Sequence, residues 1–206
     1  MKRQSGFLQP EIGRSNNLGD SVYTPYFFVI SDDKDLTIKP RIFENDKYLL
    51  QNEYRQETNK SITTVDFSFL YGHDSSALDK GDSRSHLFTN TKIDLSLDDF
   101  DSSTLQIQYQ KVSNDNYLQL FDLRSPLLLK DNGVLESTIA FTLAHEKYDF
   151  TSTLARYETL SGSNNDRYQY VLPSYDFSKN FILNDIKGSF NLNSYGNNTL
   201  SNADVV

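Results

Sequence analysis

The sequence predicts an all-β chain: an antiparallel meander of about eleven long strands, forming an open part of a large transmembrane β-barrel. Three observations carry this. Apolar and polar residues alternate with period two through nearly every stretch, the mark of a strand with two unlike faces. The alternating runs are about 10–13 residues long, against about 5–6 for strands in globular proteins and about 9–11 for a tilted strand crossing a bilayer. The connections between runs also alternate, short turns on one side and longer polar loops on the other, as the two rims of an outer-membrane barrel require.

The runs fall at roughly 5–14, 20–31, 35–44, 47–57, 61–72, 86–98, 103–113, 134–146, 148–160, 167–178 and 185–195. In the third, Leu36, Ile38, Pro40 and Ile42 share one face and Thr37, Lys39 and Arg41 the other. In the fifth, Thr63, Val65, Phe67, Phe69 and Tyr71 oppose Thr64, Asp66 and Ser68. In the seventh, Leu105, Ile107 and Tyr109 oppose Gln106, Gln108 and Gln110. The eighth sets Leu135, Ile139, Phe141 and Leu143 against Glu136, Thr138, Ala140, Thr142 and Ala144. Near the end, Ile186, Phe190 and Leu192 oppose Ser189, Asn191 and Asn193. Short turns are expected at Asp32–Lys34, Thr58–Lys60, Asp99–Ser102 and Glu146–Lys147. Gly72–Ser85 and Ser113–Gly133 are long and polar, Ser161–Asp166 is intermediate, and the links at Asn16–Gly19 and Glu44–Asp46 are short for that rim. The apolar stretch Leu120–Leu129 reads as a short helical or packed loop piece.

Composition agrees. Of 206 residues, 37% are hydrophobic and 23% charged, with Tyr and Phe abundant (13 and 14), no Cys, no Trp and a formal net charge of -8. Zero Cys excludes a disulfide, a Cys-ligated metal and a thiol nucleophile within this stretch. The acidic balance speaks against nucleic acid as a partner, because such binding needs a basic stripe. No window approaches about 18 apolar residues, which excludes a transmembrane helix but not barrel strands. On the face opposite the apolar one lie Lys39, Arg41, Glu53, Arg55, Asp66, Lys92 and Asp94. These are expected to line the lumen, because a wide barrel keeps a wet interior that charges can occupy. Eleven is an odd number and the tail Leu200–Val206 is polar, so the chain reads as a fragment.

Proline cannot donate to a strand ladder, yet Pro10, Pro25, Pro40 and Pro173 fall in expected strands, the first three at intervals of fifteen residues. Pro40 and Pro173 are expected to mark bends or bulges. Pro10 and Pro25, on the first two strands, are expected to weaken a seam.

The segments Ser5-Gly6-Phe7-Leu8-Gln9-Pro10, Tyr23-Thr24-Pro25-Tyr26-Phe27 and Asp33-Lys34-Asp35-Leu36-Thr37-Ile38-Lys39-Pro40-Arg41 closely resemble the opening barrel strands of the LptD (OstA/Imp) family of LPS-assembly outer-membrane proteins. Leu50-Gln51-Asn52-Glu53-Tyr54-Arg55, Ser113-Asn114-Asp115-Asn116-Tyr117-Leu118, and Tyr157-Glu158-Thr159-Leu160 followed by Val171-Leu172-Pro173 extend the resemblance in order over nearly the whole chain. The resemblance implies that residues 1–206 are the N-terminal part of a barrel of roughly two dozen strands. It implies a preceding jellyroll domain that takes lipopolysaccharide from a periplasmic LptA-like bridge, and an LptE-like lipoprotein that plugs the barrel. It places the protein in the Gram-negative outer membrane, exported by a signal peptide outside this stretch. Lipid A would leave sideways between the first and last strands while the sugars cross the lumen, and Pro10 and Pro25 would form the lateral gate. No cofactor and no catalytic step are implied. The jellyroll, the closing strands and the cysteines of many members are missing here, and two open edges are expected to keep the fragment from folding alone.

Other chemistry is thin. His73, His86 and Asp74 could hold a metal, though loop histidines are more often solvated. Serine-rich segments lack a Gly-x-Ser-x-Gly elbow and show no base beside a serine. Asp99-x-Asp101-x-Ser103 lacks the glycine and glutamate of a calcium loop, and Glu53 with Asp66 would need a cleft to act as a glycosidase pair. An enzyme is not expected. Two alternatives stay open: a porin-like diffusion channel, and a soluble secreted β-sandwich that binds carbohydrate.

Overall fold

A computed structural model describes residues 3–15, 18–44, 47–71, 84–128, 133–161, 167–183 and 187–201. His73 and Asp74, most of the long loop after residue 71, Ile186 and the tail beyond Ser201 lie outside the described residues. The chain divides into two compact units, the first comprising Met1–Thr58, Ile62–Asn90 and Gln110–Asn132, the second the remainder.

The strands are β1 (Gly6–Phe7), β2 (Glu11–Ser15), β3 (Gly19–Tyr23), β4 (Tyr26–Ser31), β5 (Lys34–Phe43), β6 (Lys47–Glu57), β7 (Ser61–Tyr71), β8 (Ser85–Asp94), β9 (Ser102–Val112), β10 (Val134–His145), β11 (Tyr148–Thr159), β12 (Tyr168–Leu183) and β13 (Gly188–Ser201). A single helical turn, α1 (Tyr117–Leu120), precedes β10. The pairing order is β1-β4-β5-β6-β7-β8-β9-β10-β11-β12-β13, with β2 on β3 and β3 on β5. The all-β antiparallel meander expected from the alternation is therefore what forms.

Four boundaries differ from expectation. The first two runs are each broken in two, so thirteen strands stand among the described residues where about eleven are expected. The breaks fall at Pro10 and Pro25, where the ladder loses a donor. β8 stops at Asp94 and a seven-residue connection, 95–101, replaces the short turn at 99–102. Ser96 there has φ 48°, and its amide donates to Asp94 Oδ1 at 2.8 Å, so the chain leaves the strand early. β12 and β13 run longer, sixteen and fourteen residues. The helical piece lies at 117–120, a few residues before the stretch at 120–129.

In the first unit, register fixes which side chains share a face, because residues directly opposite in a ladder point the same way. Lys39 faces Gln51, Arg41 faces Leu49 and Asp35 faces Arg55 between β5 and β6. Gln51 faces Ser68 and Glu53 faces Asp66 between β6 and β7. The opposite face carries the exposed Val22, Phe28, Ile42, Tyr48 and Phe69. The segment from Ser113 to Leu128 folds back over the polar face as a strap, its start tied by Ser113 N–H to Ser85 C=O at 2.9 Å. Tyr117, Leu118, Phe121 and Leu123 of the strap are buried with Phe43, Leu49, Phe88 and Val112. Phe43 and Phe121 meet at 5.8 Å and Tyr117 and Phe121 at 5.3 Å between ring centroids. This apolar cluster on an otherwise polar face is the core of the unit.

In the second unit β9 and β10 pair from Thr138↔Gln108 to Ala144↔Ser102, and β10 and β11 pair through the two-residue turn Glu146–Lys147 with His145 opposite Tyr148. Ile107, Tyr109, Ile139 and Leu154 are exposed on one side, while Gln106, Gln108, Thr138 and Thr142 share the other. β12 carries a cis Leu172–Pro173 bond within a register shift between Val171 and Ser174, the bulge expected of Pro173.

Candidate functional site

The proline row is the first element of the site. Gly6 and Phe7 pair with Phe27 and Tyr26, and Glu11 resumes opposite Tyr23. Three residues, Leu8 to Pro10, thus span the space of two, Thr24 and Pro25, which is a bulge in the first strand pair. Leu8 N–H donates to Pro25 C=O at 2.9 Å. In an antiparallel ladder a residue's N and C=O share one side, so the ring nitrogen of Pro25 also faces the first strand and offers it no donor. The same reasoning applies one strand further. Thr24 N–H donates to Pro40 C=O at 3.2 Å, so the nitrogen of Pro40 faces Thr24 and the reciprocal bond is missing. β3 and β4 keep one continuous register on β5 across this gap, Tyr23↔Arg41 and Tyr26↔Ile38. Pro10, Pro25 and Pro40 therefore thin the ladder in neighbouring strands at one level. Pro40, expected only to bend its strand, belongs to this row.

The charged residues of the polar face come next. Lys39 Nζ lies 2.8 Å from Glu53 Oε2, and Arg55 Nε lies 2.8 Å from Asp35 Oδ1 and 3.8 Å from Glu53 Oε1. Asp35 also takes Arg3 at 3.0 Å. Five of the seven singled-out charges, Lys39, Arg41, Glu53, Arg55 and Asp66, thus lie in one region of the first unit. Lys92 and Asp94 lie in the second unit, exposed at the end of β8, and Asp94 caps its own turn. Glu53 and Asp66 are direct neighbours on adjacent strands, each engaged by other side chains, and no cleft separates them.

Three long polar side chains hold the strap by its backbone. Arg41 Nη1 donates to Phe121 C=O at 2.7 Å, Gln51 Nε2 to Arg124 C=O at 2.9 Å, and Gln110 Nε2 to Leu127 C=O at 2.8 Å. Carbonyls three residues apart are each met from a different strand. Arg41 and Gln110 were legible as inward polar residues; their work as strap anchors was not.

Beneath the strap sits a cluster that the sequence reading missed. Ser68 Oγ lies 2.6 Å from His86 Nδ1, His86 Nε2 lies 3.2 Å from Asp66 Oδ1, and Ser68 Oγ lies 2.7 Å from the Tyr117 hydroxyl. A base does therefore stand beside a serine, on neighbouring strands rather than in a sequence motif. All four residues are at most 3% exposed. The Nε2–H tautomer lets every donor meet an acceptor: Tyr117 to Ser68, Ser68 to Nδ1, and Nε2–H to the Asp66 carboxylate. With Tyr117 on one side of the Ser68 hydroxyl and the imidazole on the other, the arrangement acts as a clamp on the strap. The useful signal was present, since Asp66, Ser68 and His86 all fall on the inward phase of their strands.

His86 is thus spoken for by Asp66 and Ser68, and among the described residues no group of three or more His, Asp or Glu converges to hold a metal ion. In the second unit, Glu158, 2% exposed, takes Arg167 at 2.9 Å, the Tyr168 hydroxyl at 3.3 Å and, more distantly, Arg156 at 3.7 Å. It ties the end of β11 to the start of β12.

No protein-family model matches the chain. Individual relatives do. It is 26% identical over 200 residues to the LPS-assembly protein LptD of Pectobacterium atrosepticum, covering 95% of this chain and 24% of that protein. It is 33% identical over 107 residues to LptD of Nitrosococcus oceani, 48% of this chain and 14% of that protein. It is 34% identical over 73 residues to LptD of Pseudomonas aeruginosa strain LESB58, 35% of this chain and 8% of that protein. The chain thus spans a quarter or less of the length of these relatives.

Proposed function

We propose that this chain, similar along nearly all its length to LPS-assembly protein LptD, is a stretch of barrel wall that carries lipopolysaccharide to the outer leaflet of the outer membrane. In each unit, one face of the sheet carries exposed apolar side chains and the other carries polar ones. Twelve polar or charged side chains are buried among the described residues, as many as are apolar. That is the reverse of a water-soluble sheet and suits a wall with lipid outside and a wet lumen inside.

The observation that carries the mechanism is the direction of the missing donors. Pro25 withholds its donor from the first strand and Pro40 withholds its own from the second. Each absent bond removes roughly 0.5–1.5 kcal/mol of net pairing, which lowers the work of parting the strands at this level. Acyl chains need an apolar exit and phosphorylated sugars a polar path. In this reading the row at Pro10 and Pro25 is the lateral gate, and Lys39, Arg41, Glu53, Arg55, Asp66, Lys92 and Asp94 face the sugars. An LptE-like lipoprotein fills the lumen and an LptA-like bridge delivers the lipid through a jellyroll. No bond is made or broken in the cargo.

In the complete protein, photo-crosslinkers beside Pro10 or Pro25 are expected to capture lipopolysaccharide in transit, and changing both prolines to alanine is expected to slow its arrival at the surface. Capture only on distant strands, with unchanged surface delivery by the double variant, would sink the gate. Ion conductance with no capture anywhere would favour the diffusion channel.

A further inference from the structure

We infer that the half-open cavity lined by β2, β5 and strap residues 122–124 is a binding site for a phosphorylated sugar. This rests on the lipopolysaccharide reading and names the chemical group that the site takes. The cavity measures about 230 Å3, and Glu11, Lys39, Arg41, Asp122, Leu123 and Arg124 are among its lining residues. At roughly 30 Å3 per water it holds the equivalent of seven or eight waters, room for one sugar ring bearing a phosphate.

Arg41 is built into this site. Its Nε donates to Ser21 Oγ at 3.0 Å and its Nη1 to Phe121 C=O at 2.7 Å. These two bonds hold the planar fork in place, which is the preorganisation that phosphate recognition uses. Nη2, uncommitted by these two bonds, lies over Gly13, where a Cβ would come within 2.7 Å of it and 2.9 Å of Ser21 Oγ. Gly13 therefore leaves room for the fork: a side chain there forces the Arg41 guanidinium or the Ser21 hydroxyl that holds it to shift. Lys39 and Arg124 add positive charge from the sheet and from the strap. Lys39 is shared with Glu53 at 2.8 Å and Arg124 with Asp122 at 3.5 Å, so neither is a bare cation.

The carboxylates of Glu11 and Asp122 decide between ligands. They would repel inorganic phosphate, but they are acceptors for sugar hydroxyls, and Leu123 offers an apolar surface to a ring face. Lys39 stands opposite Pro25 in the continuous register of β3 and β4 on β5. The cavity thus lies on the polar face at the level of the proline row, where a lipid leaving through the seam would still hold its sugars inside.

The test uses the complete protein with its partner lipoprotein in detergent, titrated with glucose 6-phosphate, glucose and inorganic phosphate. Glucose 6-phosphate is expected to bind at least about tenfold tighter than either other probe. Arg41→Gln and Gly13→Ala are each expected to weaken it about tenfold, the second without any change of charge. Because Arg41→Gln also removes the bond to Phe121 C=O, hydrogen exchange of the strap amides separates a loosened strap from a lost ligand contact, and weaker binding counts for the site only where strap exchange is unchanged. Equal binding of the three probes, or wild-type affinity in both variants, overturns the site. A competition arm separates sources: displacement by lipopolysaccharide, lost when its sugar phosphates are removed, puts the group on the lipid. Displacement by free sugar phosphates alone supports the site with a soluble ligand. Crosslinking beside Pro25 runs in parallel. Capture there without a sugar-phosphate preference overturns the site alone, whereas no capture on any strand overturns the transport reading.

Discussion

Tyr117 joins the strap to the sheet through one hydroxyl and a fully enclosed ring. Burial pushes its phenol up to about 12, against the opposing pull of the Ser68 hydrogen bond and the Arg84 charge. The ordinary value is 10.0, so the folded strap holds this proton more tightly than the unfolded one. Its contribution is complete below about pH 10 and is lost as pH rises toward about 12. In the complete protein, ultraviolet titration should show a late phenolate that Tyr117→Phe removes. That variant should cost about 1 kcal/mol, one neutral hydrogen bond. Tyr117→Ala should cost about 3–5 kcal/mol, because it also leaves a cavity beside Phe121 and His86. A Tyr117→Ala protein with unchanged strap exchange would contradict the clamp. The sequence showed Ser68 and Asp66 as inward residues but could not pair them with His86, eighteen and twenty positions away.

The first strands show what proline does to a ladder and on which side. From sequence, Pro10, Pro25 and Pro40 were three similar interruptions. In the structure, Pro25 is silent toward the first strand and Pro40 toward the second, because the carbonyl acceptors fix the side each nitrogen faces. Pro40→Ala should restore a donor opposite the Thr24 carbonyl and tighten that strand pair by roughly 0.5–1.5 kcal/mol. Exchange at Thr24 should then slow by about two- to tenfold, with strands β10–β13 unchanged. No slowing at Thr24 would mean that the gap is closed in some other way. The unforeseen length of the 95–101 connection has a similar local cause, since an Asp94 side chain that captures the Ser96 amide ends the strand where it stands.

At the scale of the molecule the two-faced pattern is the main result. Ile139, at the middle of β10 and 46% exposed, is on the apolar side. In the complete protein in a bilayer, Ile139→Arg should destabilise by about 2–4 kcal/mol, the depth-dependent penalty of a cation against lipid. A soluble β-sandwich with this face in water would lose almost nothing, and a near-zero change would restore that alternative. Similarity to an LptD protein, at 26% identity, runs along 95% of the chain.

Period-two alternation by itself determined that the chain is a meander of long strands, which residues share a face, and that one face is apolar and the other charged. It could do so because side-chain direction in a strand is a local property of the backbone. The tertiary structure alone decided that the prolines form a row, that Arg41, Gln51 and Gln110 hold a strap, and that Asp66, Ser68 and His86 meet beneath Tyr117. Those contacts join residues 17 to 80 positions apart, and no periodicity along the chain encodes which distant partner a side chain will reach.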